Sequence, residues 1–119
     1  MISELLNRVF SARNIAHFTH LTTDKYSEHI ALNELYDNVI DAVDELIECY
    51  IGQFSEVPEY DVVSMKAPEN IVSFLRDESD WIEANRDEIS GKSEAVASLV
   101  DVLVSVYLRT IYKLERFTI

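Results

Sequence analysis

The sequence predicts an all-α fold, and three observations carry that prediction. Only two glycines and two prolines occur in 119 residues, against average usage of about 7% and 5%, which leaves little material for the tight turns of a β protein. Apolar residues recur every three to four positions over long stretches, the spacing of one face of a helix. Four such stretches are separated by polar breaks. With 48% hydrophobic residues the chain is long enough to bury one core without disulfides, so residues 1–119 are read as a single domain.

The first helix runs from Ile2 to Leu21, with Leu5, Leu6, Val9, Ala12 and Ala16 on its apolar face. "TTDKYS" ends it, and Asp24 or Ser27 is the candidate N-cap of the next helix. That second helix extends from Tyr26 to about Ile51, with Leu32, Leu35, Val39, Val43, Leu46 and Tyr50 on one side, and Gly52 is expected to stop it. Gln53 to Pro68 is read as a crossover connection in which "YDVVSM" forms a short extended or 3₁₀ piece. Pro68 stands at the expected start of a third helix marked by Ile71, Phe74, Leu75, Trp81 and Ile82. "NRDEISGKSE" breaks that helix, and Ser93 is the expected cap of the last, Glu94 to about Phe117. This last helix is apolar on nearly every face until its final turns, a pattern that suits the centre of a bundle or an oligomer contact. Four helices with a long crossover between helices 2 and 3 give a four-helix bundle with the connectivity of ferritin-like folds.

The formal net charge of −12 argues against binding along a phosphate backbone, which depends on lysine and arginine displacing counterions, so direct DNA binding is not expected. An acidic balance suits cations, basic partners or plain solubility. A lone Cys49 builds no intrachain bridge, and Glu4 sits where a signal peptide needs an apolar run; the expected location is cytoplasmic. Charges interrupt the apolar stretches short of the roughly 20 residues that span a bilayer, so no membrane is expected.

All three histidines fall between His17 and His29, and a ladder of carboxylates follows them. On a helical wheel with His29 at zero, Asp44 lies near 60°, Asp37 near 80°, Glu48 near 100° and Asp41 near 120°. Asp44 and Glu48, one turn apart at the edge of the apolar arc, are placed to reach one hard cation. The ladder also reads as a solvated acidic face, and a histidine at an apolar edge also reads as a hydrogen-bonded core residue. His20 falls nearer the middle of the first helix's apolar face than His17 and is read as core; Tyr36 is read as packing. His29 and Asp44 are fifteen residues apart, about 22 Å along a helix, so they cannot share an ion within one chain. Folding the first two helices antiparallel brings His17 and His29 to one end. Each chain then presents an imidazole half-site and a carboxylate half-site, and a two-fold dimer with antiparallel second helices completes both. A Glu-x-x-His arrangement within one bundle is excluded, because no histidine has a glutamate three residues before it.

The spacing of His17, His29, "NELYDNVIDAVDELIE" and the pair Asp44 and Glu48 resembles the Dps family, small ferritin-like proteins that oxidise iron and protect DNA. The similarity covers roughly Leu5 to Gly52, with weaker support from "IYKLERF". The resemblance implies a ferroxidase centre between subunits, with His17 and His29 from one chain and Asp44 and Glu48 from its partner. It also implies iron(II) as the ion oxidised, and a homo-oligomer that in the family commonly reaches a twelve-subunit cage. Asn33 stands where the family often has an acidic residue, Phe18 where a tryptophan usually follows the first histidine, and the family's turn glycine is missing from "LTTDKYSEH". The alternative reading is a non-enzymatic acidic helical oligomer that binds a basic protein or mimics nucleic-acid charge. A nucleophilic enzyme is disfavoured, since no serine or cysteine lies near a histidine in a glycine-flanked turn.

Overall fold

A computed structural model describes residues 1–117 and is all-helical in its regular structure, with five helices and, among the described residues, no strand. They are α1 (Ile2–Thr22), α2 (Tyr26–Phe54), α3 (Ile71–Ala84), α4 (Arg86–Ser90) and α5 (Glu94–Phe117). α5 lies against α2, α3 and α4, while α1 packs on α2 and touches α3. The core runs the length of the molecule, from Leu46 and Val96 through Leu35, Leu103 and Tyr107 to Leu114.

Val102, Leu108 and Tyr112 stay exposed on the outward side of α5, so the apolar surplus of this helix is not all used internally. By length and composition α5 is apolar enough to cross a membrane, which amends the expectation that charges interrupt every such run. Half of its most apolar window is buried inside the protein.

Helix ends differ from the sequence reading in four places, each with a local cause. α2 continues through Gly52 to Phe54 and ends where Ser55 turns left-handed (φ +53°) and donates its N–H to the Ile51 carbonyl. The extension seats Phe54 over Gly91, whose φ of +58° favours glycine and whose missing Cβ leaves room for the ring. The N-cap of α2 is Lys25 rather than Asp24 or Ser27, and its N–H is taken by the Thr23 hydroxyl. α3 starts three residues after Pro68, because the Asn70 side chain accepts from the Ser73 N–H and caps it. Within "NRDEISGKSE", residues Arg86–Ser90 form the short α4, which buries Ile89 against the core. Ser93 caps α5 as expected, its hydroxyl accepting from the Val96 N–H.

Residues 55–70 contain no regular element, so "YDVVSM" is neither strand nor 3₁₀ turn. What orders the segment is a polar stripe on α1 at a four-residue spacing. The Ser3 hydroxyl accepts from the Glu59 N–H, Asn7 donates to the Glu59 carbonyl and accepts from the Asp61 N–H, and the Ser11 hydroxyl donates to the Val63 carbonyl. Asn7 is only 4% exposed, so its amide reads the backbone of the link from a nearly dry position.

A second buried polar group ties α1 to α3. Arg8 donates to the Glu78 carboxylate at 2.7 Å and lies 4.3 Å from the centre of the Trp81 ring. Burial pushes the Tyr107 phenol well above its usual range, and the nearby Glu78 charge adds to the rise.

Both anchors are open to mutation. Asn7→Ala should destabilise the protein by about 1–2 kcal/mol and speed protease cleavage within residues 55–70, read by limited proteolysis with mass spectrometry; a cleavage rate equal to wild type would show that the stripe does not hold the link. Arg8→Ala should cost about 3 kcal/mol in chemical denaturation, because it strands the Glu78 carboxylate, whereas an Arg8→Leu, Glu78→Leu double variant should recover most of that loss.

Candidate functional site

α1 and α2 form an antiparallel pair joined by the three residues 23–25. The register of that pair sets which side chains meet. It places His20 opposite His29, and Arg13 beside the Tyr36 ring at 5.2 Å.

The imidazoles of His20 and His29 stack with centroids 3.7 Å apart and planes tilted by only 14°. Each Nδ1–H donates to the other residue's backbone carbonyl, at 2.6 Å from His20 and 2.7 Å from His29. Since a carbonyl only accepts, both rings carry a proton on Nδ1, and in the neutral form of each ring Nε2 is the bare lone pair. That is the tautomer and the outer hydrogen bond that ligating histidines use. His20 is buried, in agreement with its reading as core, and His29 is half-buried.

His17 lies one turn back on α1. It stacks on Tyr36 at 4.3 Å and its ring centre is 6.1 Å from that of His20. The imidazole nearest His29 is therefore His20 rather than His17, because the turn is short and His20 stands closer to it. The three rings and Tyr36, whose ring meets His20 edge-on at 5.3 Å, form one aromatic group at this end of the molecule.

Tyr36 donates its hydroxyl to the Asn33 side-chain carbonyl at 2.6 Å, and the Asn33 amide donates to Asp37 at 3.4 Å. Asn33 is thus engaged in orienting Tyr36. An acidic residue at this position would bring another anionic donor to the histidine end; the amide does not.

Asp44 and Glu48 are both exposed, further along α2, on a face that also carries exposed Asp37 and Asp41. None of the four forms an ion pair among the described residues. The structure brings the histidines together and leaves the carboxylates apart from them. Among the described residues, no three His, Cys, Asp or Glu side chains of one copy come together to hold an ion. A site using both groups must therefore draw donors from two copies.

No curated protein and no solved structure shows significant similarity to the chain. One family model does match, over residues 20–114, a span that takes in His20, His29, Asp44 and Glu48 and leaves out His17. That span is most of the chain, and the protein belongs to this family, described as a family of unknown function (DUF5856).

Proposed function

We propose that the protein binds iron(II) at a site shared between two copies, in the manner of the Dps family, and promotes its oxidation by peroxide or dioxygen, which takes up the electrons, or its sequestration there. One observation carries the reading: the histidine end of the α1–α2 pair presents bare Nε2 atoms, while the carboxylates spaced to complete an ion site are exposed and unpaired further along α2. His17 and His29 act as neutral nitrogen donors from one copy. Asp44 and Glu48 of the second copy supply negative charge, which favours the ferric product over the ferrous substrate. His20 holds the His29 ring in its ligating orientation and is positioned to replace His17 as a donor.

The finer architecture belongs to the same proposal. α1, α2, α3 and α5 correspond to the four helices of a ferritin-like bundle, residues 55–70 to its crossover, and α4 to an insertion before the last helix. Two α2 faces brought together antiparallel place like charges opposite one another, so this dimer depends on the bound cation to offset the repulsion.

The second reading rests on the same unpaired face. Asp37, Asp41, Asp44 and Glu48, in a chain of net charge −12, also suit a lysine- and arginine-rich protein partner, with no metal involved.

Anaerobic iron(II) titration with sedimentation analysis separates the two. Wild type should bind iron and shift to a larger species in sedimentation as it does so, and His29→Ala and Asp44→Ala should each lose tight binding and that shift. Mixing the two variants should restore up to half of the wild-type sites, because each mixed pair rebuilds one complete site of two, while pairs of a single variant rebuild none and are not drawn together by the ion. Equal, weak binding by wild type and both variants, with no recovery on mixing, leaves only the partner reading.

A further inference from the structure

The outward face of α5 is covered by no other long helix, and Asp101, held by Arg86, makes its one ion pair among the described residues. Ser98, Val102, Leu108 and Tyr112 are exposed along it, the last three at 45%, 42% and 54%. These side chains, with Asp101, Ser105 and Arg109, fall within an arc of about 120° on the helix opposite the buried stripe of Val96, Val100, Leu103, Tyr107, Ile111 and Leu114.

The charges on this face have an order. Glu94 and Asp101 lie in its N-terminal half, Arg109 and Arg116 in its C-terminal half. Turned over on itself about Ser105, the face is its own complement. Glu94 then lies against Arg116 of the other copy and the small Ser98 against the large Tyr112, whose hydroxyl it can hydrogen-bond. Asp101 and Arg109 of the two copies stand at one height on opposite flanks of the seam, a gap that the long guanidinium side chain spans, with Val102 and Leu108 flanking the contact. The acidic half of each copy thus opposes the basic half of the other, and each opposition occurs twice because the operation is a two-fold.

We infer that α5 pairs with α5 of a second copy, antiparallel and centred on Ser105, through this self-complementary face. Arg109 has no carboxylate partner among the described residues, its Nε reaching only the Ser105 carbonyl at 3.4 Å. Asp101 is already held by Arg86 through both carboxylate oxygens, at 2.7 and 2.9 Å, and the Arg86 hydrogen bonds keep its carboxyl below the usual range. Each oxygen retains a second lone pair, so a fixed anion waits where the incoming guanidinium arrives. The pairing needs no metal and does not rest on the iron site.

The test is the association state in a chelator, which removes any iron-dependent contact. Wild type should sediment as a dimer. Arg109→Asp and Asp101→Arg should each weaken self-association by about tenfold or more, since each opposes like charges twice. An equimolar mixture of the two should recover the dimer, because both cross pairs are then Asp–Arg again, a recovery that misfolded variants cannot give. Ser105→Cys in a Cys49→Ala background should oxidise to a disulfide-linked dimer, while Glu88→Cys in the same background should not. A wild type that stays monomeric in chelator, or folded single variants that stay apart when mixed, overturns the inference. So does recovery of the protein on neutral lipid vesicles without Ser105→Cys cross-linking, which would assign the face to a bilayer.

Discussion

The structure depends on the burial of one side of α5. This helix is the element packed against α2, α3 and α4 together, and Val96, Val100, Leu103 and Tyr107 on its inner side are essentially inaccessible to water. At about 1.5–3 kcal/mol for each large apolar side chain fully buried, that stripe is a large block of stabilisation. α2 is fixed by it directly. α1 is fixed only at one remove, through α2 and the Arg8–Glu78 contact. The histidine end therefore inherits its geometry from a helix on the far side of α2.

Much of this is legible in the sequence, for a physical reason. Apolar periodicity reports which side of a helix faces the core, so the four long helices and the inward sides of α1 and α2 follow from spacing alone, whereas α5, apolar on nearly every face, does not show its inward side. The polar stripe Ser3, Asn7 and Ser11 does not, because three hydrophilic residues at a four-residue spacing read equally as a wetted face. Only their partners, the backbone groups of Glu59, Asp61 and Val63, show that this side of α1 is covered. α4 escapes the pattern for a related reason. Five residues give no period to detect, and Ile89 is its one large apolar side chain in the core.

At the site, the clustering of histidines at one end of the α1–α2 pair can be read from their distance to the turn. Which two stack cannot, since the register depends on how tightly residues 23–25 close. The reciprocal Nδ1 to carbonyl bonds of His20 and His29 also have no sequence signature, yet they decide the tautomer and hence which nitrogen is free to bind. For Asp44 and Glu48 the helical wheel is sufficient, because their exposure needs only the orientation of α2.

The two outward faces differ in what association demands of them. The α2 face carries Asp37, Asp41, Asp44 and Glu48 with no cation among them, so bringing two copies together there raises the electrostatic energy until a positive ion enters. The α5 face holds acidic and basic residues in separate halves, and an antiparallel two-fold cancels them without help. Salt acts on the two in opposite senses: screening eases the repulsion at α2 and weakens the attraction at α5. A chain with two isologous faces of this kind does not stop at a dimer when both are filled, because each copy then has two different neighbours, and the assembly must either close on itself or grow. On the two proposed pairings, joining through α5 in the absence of metal and through α2 as cations bind would make the size of the assembly a function of the cation supply.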